Sequence, residues 1–439
     1  MMKKIFVISL FAILFMQACK KDQQLVDGKK PEENVSEALE KYRNELINTP
    51  NGWVAYLYTN EIGGGYSFYL DFKKDNVLSM KADYISGSSQ STYRVKQVMA
   101  PSIIFDTYNS LHLLADPDPS KFGGETGVGY GSDFEFEIRS QVGDTIKLVG
   151  KKRQTEFILV KATAADKAFY TDGDLEELQT YLKANPNLYI LDEKDNTKKM
   201  QVTVNTDVSS RQVSLAVENN GAISSANAAF SFSPSGLLNK TLTFGGNVFT
   251  HFTWDKANKK LFWLTSTGKK FEVFVSDKPI IPLHYLMGTV SSSISIPGTT
   301  TLPGSGQTFI TAYNLMRSRI TAGFSVPTIG RDLSFSFNDA NKTFTVSLIV
   351  VQNGTNAFAA NYTYSYTKSA SGEYKFTGPP IVGGGAGTAI QSIMNSFILT
   401  RLTVQTFTLE YYVDAANGRT LGNMISKDQP SFNMTGLIQ

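Results

Sequence analysis

The chain has 439 residues, with 42 Lys and Arg against 39 Asp and Glu, 12% aromatic residues and a single cysteine, Cys19. This balance provides no concentrated basic surface of the kind that binds nucleic acid or an anionic membrane electrostatically. One cysteine excludes disulfides within the chain, and it excludes thiolate metal sites and cysteine nucleophiles elsewhere in the sequence.

Residues 1–18 have the pattern of a signal peptide. Lys3 and Lys4 precede an apolar run over residues 5–15, which is too short to span a bilayer. The following stretch MQAC, residues 16–19, resembles the lipobox of bacterial lipoproteins, in which signal peptidase II cuts before a cysteine that carries diacylglycerol. The resemblance implies that Cys19 is lipidated. The alternative is a chance cysteine after a general secretory signal.

Residues 19–33 are polar and charged, and they predict a flexible tether. Removal of Lys3 and Lys4 with the signal peptide takes the Lys and Arg count from 42 to 40 against 39 acidic residues, so the mature chain is nearly neutral. A lysine followed by acidic residues after the lipidated cysteine resembles a surface-export signal of the Bacteroidetes. Here only Asp22 follows Lys21, which leaves open whether the protein faces the cell surface or the periplasm from the outer membrane.

Residues 34–165 predict an antiparallel β domain with an N-terminal helix. Asn34 and Glu37 match a capping box, and apolar residues recur at helical spacing from Val35 to Leu46. After Gly52 the apolar period changes to two, and turn residues separate eight or so short strand-like runs. This meander is typical of an antiparallel barrel or sandwich.

The remainder of the chain predicts further β structure. Residues 166–282 contain a helical pattern at 173–184 and then strands, and this region either folds separately or completes the first domain. Residues 283–439 predict a C-terminal β-rich domain with helical candidates at 309–319 and 388–398, and the Ser/Thr/Gly/Pro stretch 291–308 predicts a long loop. The predicted fold class is therefore mainly β, a β-rich α+β arrangement with short amphipathic helices.

Several stretches together resemble a known family. NTPNGWVAYLYT (48–59), GGGYSFYLDF (63–72) and GYGSDFEFEI (129–138) are similar to the uncharacterised Bacteroidetes lipoproteins grouped as domain of unknown function 4302 (DUF4302). The likeness is strongest over about residues 34–165. The resemblance implies a setting near a TonB-dependent transporter of the outer membrane and its SusD-like lipoprotein partner. It carries over no catalytic residues.

One short motif indicates a candidate ligand or cation face. Asp133, Glu135 and Glu137 alternate with Phe134, Phe136 and Ile138, so a strand here would carry its carboxylates on one face. Inside a barrel, such a face can bind a cation or hold sugar hydroxyls. On an outer strand, the same acids simply face water.

Other residues provide weaker indications of ligand chemistry. His112, His251 and His284 are widely separated and show no metal-binding spacing, so we predict no metal site and no cofactor. The three tryptophans either stack on sugar rings, if exposed, or belong to the core. These tryptophans are Trp53, Trp254 and Trp263.

Taken together, these features predict a non-catalytic lipoprotein that is lipid-anchored in the outer membrane. Its expected role is to capture a small molecule or glycan, or to assist a TonB-dependent (SusC/SusD-like) nutrient uptake system. One alternative is an extracellular glycoside or other polymer hydrolase that acts through Asp133, Glu135 or Glu137, because paired carboxylates suffice for glycoside cleavage. Another is a structural or adhesive surface protein that uses long strands such as 358–367.

Overall fold

The computed structural model describes residues 31–59, 64–298, 300–416 and 418–439. The predicted signal peptide, Cys19 and residues 19–30 of the predicted tether lie outside the described residues. Within the described part, the strands form three closed antiparallel barrels of eight strands each. Each strand pairs with the next along the chain, and the first strand of each barrel pairs with the last. The predicted mainly β fold class is therefore confirmed.

The first barrel follows helix α1 (Pro31–Ile47). This helix begins three residues before the predicted start, so residues 31–33 are helical and not part of a tether. A proline is readily accommodated there because the first turn of a helix leaves its backbone N–H groups unpaired. The strands are β1 (Trp53–Tyr58), β2 (Gly65–Phe72), β3 (Val77–Ala82), β4 (Ser89–Val98), β5 (Ala100–Phe105), β6 (Glu135–Val142), β7 (Thr145–Gly150) and β8 (Glu156–Lys161). Helices α2 (Ser110–Ala115) and α3 (Pro119–Phe122) lie between β5 and β6.

The interior of the first barrel is filled by apolar side chains. On β3, buried Leu78, Met80 and Ala82 alternate with less buried residues, as expected for a strand with one face toward a core. Aromatic rings from different strands meet inside, where Phe136 and Phe157 lie 4.6 Å apart between ring centroids. The barrel therefore has a packed core and not an open channel.

The second barrel follows helices α4 (Ala164–Thr171) and α5 (Asp174–Ala184). Its strands are β9 (Leu188–Leu191), β10 (Lys199–Asn205), β11 (Gln212–Asn219), β12 (Ala222–Ser233), β13 (Gly236–Phe244), β14 (Asn247–Asp255), β15 (Lys260–Thr265) and β16 (Lys270–Val275). Strand β9 was not among the predicted strands. It pairs with both β10 and β16, and it thereby closes the barrel.

The third barrel follows helix α6 (Leu283–Leu286). Its strands are β17 (Ser293–Ile296), β18 (Thr328–Asn338), β19 (Thr343–Gln352), β20 (Asn356–Lys368), β21 (Glu373–Gly383), β22 (Thr406–Val413), β23 (Thr420–Ser426) and β24 (Asn433–Ile438). The remaining helices are α7 (Gln307–Ala322), α8 (Gly384–Met394), a π-helical turn (Asn395–Leu399) and α9 (Thr400–Val404). Among the described helices, none combines the length and the apolar composition that a membrane span needs.

The third barrel corrects one prediction. The stretch 291–308 was predicted to be a loop, but it contains β17 and the start of α7. Ile294 and Ile296 alternate with serine and are fully buried, so this short strand supplies two core side chains. It pairs with β18 and β24, and the barrel closes through it.

The packing divides the chain into two compact units. Of the described residues, the first unit comprises those up to Leu175 together with the segments Asp207–Arg211 and Ser231–Pro234, and the second comprises the rest. The strands of the three barrels lie within the ranges 34–165, 166–282 and 283–439 that the sequence predicts as regions.

The first unit contains a buried ion pair between Asp83 and Arg211. Arg211 Nη1 lies 3.0 Å from Asp83 Oδ2, and both side chains are almost fully shielded from solvent. Ser67 donates to the same carboxylate oxygen from its backbone N–H (2.9 Å) and its hydroxyl (3.0 Å), and the guanidinium lies 5.0 Å from the centroid of the Phe232 ring. Burial raises the pKa of Asp83, while Arg211 and Ser67 act in the opposite direction.

Candidate functional site

The three predicted site carboxylates do not share one strand face. Strand β6 begins at Glu135, so Asp133 lies before the strand and not on it. Phe136 and Ile138 are buried in the barrel core, and because side chains alternate along a strand, Glu135 and Glu137 face away from the barrel interior. Glu137 forms an ion pair with Arg139, with 2.9 Å between Oε1 and Nη1.

Asp133 instead holds the loop between β7 and β8. Its side chain is buried, and Oδ1 accepts hydrogen bonds from the backbone N–H groups of Lys152 (3.0 Å) and Arg153 (3.1 Å). Oδ2 accepts from the Thr155 hydroxyl at 2.8 Å. A Cβ atom on Gly150 would overlap this carboxylate, which explains the glycine at that position. Asp133 therefore fixes the backbone of residues 150–155, which we call the basic loop.

We expect Asp133→Asn to destabilise the basic loop by about 1–3 kcal/mol, because an amide NH₂ would face backbone donors in place of a charged acceptor. Hydrogen exchange at the amides of Lys152 and Arg153 measures this effect. Glu137→Gln is the matched control, since its ion pair with Arg139 is partly exposed and contributes little. Unchanged protection of the two amides in Asp133→Asn would contradict the anchoring role.

Three rings stack on the surface beside this loop. The His112 ring lies between those of Tyr108 and Phe134, with centroid distances of 5.6 Å to Tyr108 and 4.5 Å to Phe134. The Tyr108 residue is 58% exposed and Phe134 is 40% exposed, which is unusual for large rings held in fixed positions. We call these three residues the aromatic stack.

Local hydrogen bonds hold the aromatic stack in place. Asn109 caps helix α2, because its Oδ1 accepts from the backbone N–H of Leu111, and the same oxygen lies 3.0 Å from His112 Nδ1. The Tyr108 hydroxyl donates to the Asp116 carboxylate. Burial and this hydrogen bond raise the pKa of Tyr108 to about 12, so the phenol stays neutral at physiological pH.

The pKa of His112 leads to a pH-dependent prediction. Burial lowers this pKa below its ordinary value of 6.5, and the nearby Asp106 carboxylate opposes the shift only in part. The unfolded segment therefore binds a proton more readily than the folded one. The stabilisation from neutral His112 is complete above pH 6.5 and is lost as the pH falls through the lower folded pKa.

Hydrogen exchange of helix α2, measured at a series of pH values and corrected for the intrinsic exchange rate, tests this expectation. We expect protection to weaken on acidification from neutral pH in the wild type. In His112→Phe, which keeps an aromatic ring in the stack, this pH dependence should disappear. The same acid-induced loss in the phenylalanine variant would show that another group is responsible.

A cavity of about 230 Å³ is lined by residues of the basic loop and by Phe134 of the aromatic stack. Phe134 belongs to both the stack and the cavity lining. The lining residues are Ala115, Ser132, Asp133, Phe134, Glu135, Lys151, Lys152 and Arg153. We call this cavity, together with the aromatic stack, the aromatic–basic groove. It combines rigid exposed rings with cationic side chains, which is an arrangement suited to binding and orienting a small ligand.

A second cavity, of about 340 Å³, lies in the third barrel beside helix α8. Its walls are mostly apolar and include Phe324, Phe358 and Ile390, with Gln352 as a polar residue.

The tryptophans and the search for a metal site concern other parts of the structure. Trp53 and Trp263 are fully buried in the first and second barrels, and the described residues contain no group of three or more His, Cys, Asp or Glu side chains placed to hold a metal ion.

The fold defines the chain as a protein of successive eight-stranded up-and-down barrels, with a candidate binding groove on the first barrel. The model of the family described as "Domain of unknown function (DUF4302)" matches residues 28–256, more than half of the chain. The chain belongs to this family. The matched range contains the first barrel with its groove, and it continues through β14 of the second barrel.

No curated protein matches the chain significantly. Among solved structures, kievitone hydratase from Nectria haematococca is 9% identical, with 90% of each chain covered and a TM-score of 0.12. The tail fiber of Staphylococcus aureus phage P68 is 10% identical and has a TM-score of 0.15, with 89% of this chain and 95% of that chain covered. At these scores, neither likeness carries information on fold or function.

Proposed function

We propose that the protein is a non-catalytic, lipid-anchored outer-membrane lipoprotein that captures a ligand in the aromatic–basic groove. In this proposal it serves nutrient uptake beside a TonB-dependent transporter and a SusD-like lipoprotein. The observation that carries the ligand-binding part is the exposed aromatic stack beside the cavity. Hydrogen bonds hold Tyr108 and His112, and Phe134 stacks on His112, so a sugar or other ring can stack on Phe134 at a small cost in side-chain ordering.

The placement of the acids favours capture over hydrolysis. A hydrolase at this position needs a carboxyl group free to exchange a proton or attack a substrate. The Asp133 carboxylate is buried and accepts hydrogen bonds from the basic loop, and Glu137 is engaged by Arg139. Glu135 also lines the cavity, but it would act without a second free carboxyl group from this motif, whereas glycoside cleavage uses a pair.

Ligand capture is tested on the intact chain with a panel of glycans and small ring compounds, measured by calorimetry. We expect Phe134→Ala to weaken binding about tenfold or more, because it removes the ring that joins the stack to the cavity. Val142→Ala is the control, since Val142 is a highly exposed apolar residue of β6 outside the groove. Equal weakening by the two variants, or no binding by any member of the panel, would contradict capture at this site.

The anchor is a separate part of the proposal and depends on the sequence around Cys19. We expect wild-type protein to incorporate a palmitate analogue and to fractionate with the outer membrane, and Cys19→Ser to do neither. Mild crosslinking on intact cells should then recover a large transporter with the wild type and not with Cys19→Ser. An unlabelled wild-type protein would overturn the anchor, and recovery without a transporter would overturn the uptake role.

A further inference from the structure

We propose that the cavity in the third barrel is a binding site for a neutral aromatic molecule of about two fused rings with one polar group. We call it the mouth cavity. This inference goes beyond the proposed function, because the mouth cavity and the aromatic–basic groove belong to different barrels. The residues that line the mouth cavity are Phe324, Val350, Gln352, Phe358, Gly385, Ala386, Ala389 and Ile390.

Phe358 lies on the inner face of the barrel and is nevertheless 47% exposed. Side chains alternate along β20, so Phe358 shares a face with Ala360 and Tyr362, which are fully buried in the core. Across the sheet it pairs with Val350 of β19, which is also buried. Side chains fill the inward positions of a small barrel. The exposure of Phe358 therefore marks the level at which core packing stops and the mouth cavity begins.

The first turns of helix α8 leave this space open. The helix packs against the inner face of the barrel, where the Tyr362 hydroxyl donates to the backbone oxygen of Gly387 at 2.7 Å and Ile390 joins the core. Before Ile390, the helix contributes only small residues to the lining. These residues are Gly385, Ala386 and Ala389. A ligand can therefore reach the inner face of the barrel beside the helix, and the mouths of β-barrels are a common place for ligand sites.

The lining favours a neutral aromatic ligand. Among the described residues that line the mouth cavity, none carries a charge, so a charged ligand would lose hydration there without gaining a countercharge. The rings of Phe324 and Phe358 offer favourable packing to another aromatic ring. An apolar cavity of about 150 Å³ holds one benzene molecule. The mouth cavity, at about 340 Å³, is large enough for two fused rings.

Gln352 provides the polar contact. It follows Val350 by two residues on β19, so its side chain points to the same inner face. Its Nε2 lies 3.5 Å from Thr328 Oγ1, which is longer than an ordinary hydrogen bond. A side-chain amide both donates and accepts, so Gln352 has the capacity to bind a hydroxyl or N–H group of a ligand.

Calorimetry on the intact protein tests the inference with four probes. Indole and benzofuran are neutral two-ring compounds of the same size, and only indole has an N–H group. Indole-3-carboxylate adds a negative charge to the same rings, and 1-octanol is a neutral aliphatic compound. We expect indole to bind about threefold to tenfold tighter than benzofuran, and at least tenfold tighter than indole-3-carboxylate or 1-octanol.

Variants locate the binding. Ala389→Leu should fill the mouth cavity and weaken indole binding at least tenfold. Thr388→Leu is the matched control, because Thr388 is an exposed neighbour on the same helix outside the lining. Phe358→Ala should weaken indole binding about tenfold through loss of the ring contact. Gln352→Leu should weaken binding of indole and leave binding of benzofuran unchanged.

Circular dichroism checks that each variant folds. If Ala389→Leu does not fold, Phe358→Ala decides, because its side chain is already half exposed in the wild type. Indole binding that is equal in the wild type and Phe358→Ala, or no binding of either neutral ring compound, would overturn the site. Tighter binding of 1-octanol than of indole would overturn the aromatic class.

Self-association of the wild type that Phe358→Ala abolishes would assign the mouth cavity to a second copy of the chain and overturn the small-molecule ligand. Each of these outcomes leaves the aromatic–basic groove untouched, since Phe134→Ala tests that groove separately. Failure of the proposed function and failure of this inference are therefore distinguishable.

Discussion

Replacement of Arg211 by methionine is expected to destabilise the first unit by about 3–5 kcal/mol. The substitution leaves the Asp83 carboxylate buried without the guanidinium that lies 3.0 Å away. Water cannot replace the lost partner at low cost, because both side chains are almost completely enclosed. The two hydrogen bonds from Ser67 remain, but they do not supply a compensating charge.

Hydrogen exchange resolved to the strands of the first barrel is the suitable measurement, because a chain with several barrels does not unfold in one step. Arg139→Met is the control, since its ion pair with Glu137 is partly exposed and worth about 1 kcal/mol or less. The double variant Asp83→Leu/Arg211→Met should regain much of the lost stability, because it removes both buried charges. A small effect of Arg211→Met alone would mean that Asp83 is neutral in the folded protein.

The second large effect is expected in the second barrel. Trp263→Ala should destabilise it by about 3–5 kcal/mol, since the side chain is fully buried and its removal leaves a cavity. The indole ring contacts Phe249 and Phe252, each at 4.5 Å between centroids. Its Nε1 donates to Asn239 Oδ1 at 3.2 Å, so the substitution also removes a buried hydrogen bond.

Trp254→Ala is the matched control for this prediction. Trp254 is only partly buried and packs against Tyr181, so its loss should have a smaller effect on the same barrel. Hydrogen exchange along β13 to β16 measures both variants without relying on tryptophan fluorescence, which the substitutions themselves change. Equal effects would indicate that the core around Trp263 collapses to fill the cavity.

Most strands could be predicted from the sequence because a barrel strand leaves a period-two pattern of buried residues. There are physical reasons why the sequence did not predict the remaining strands. The missed strands are β9, β17, β23 and β24. Strands β9 and β17 have four residues each, too few to establish a period. Strands β23 and β24 each contain a glycine and show no strict alternation of buried and less buried residues. Strands β9 and β17 are also closing strands. Strand β9 pairs with the distant β16 as well as with the neighbouring β10, and β17 pairs with β18 and β24; this long-range pairing has no local signal.

The candidate site was only partly predictable. The alternation around Glu135 correctly separates core-facing from outward residues, but it does not show that the strand begins after Asp133. The partners of Asp133 lie in a loop about twenty residues further along the chain, which tertiary structure alone brings near. The aromatic stack likewise joins His112 to Phe134 across the segment that contains α3. Three consecutive basic residues at 151–153 were the available sequence signal for the groove.

Closure of the barrels also limits how partner proteins can bind. In each described barrel the first and last strands pair, so their backbone N–H and C=O groups are already engaged in the sheet. A partner, or a second copy of the chain, therefore finds no open edge where the first and last strands of a barrel meet. Recognition at these closing strands must act through side chains and loops. The same closure reduces the edge-to-edge aggregation to which open sheets are prone.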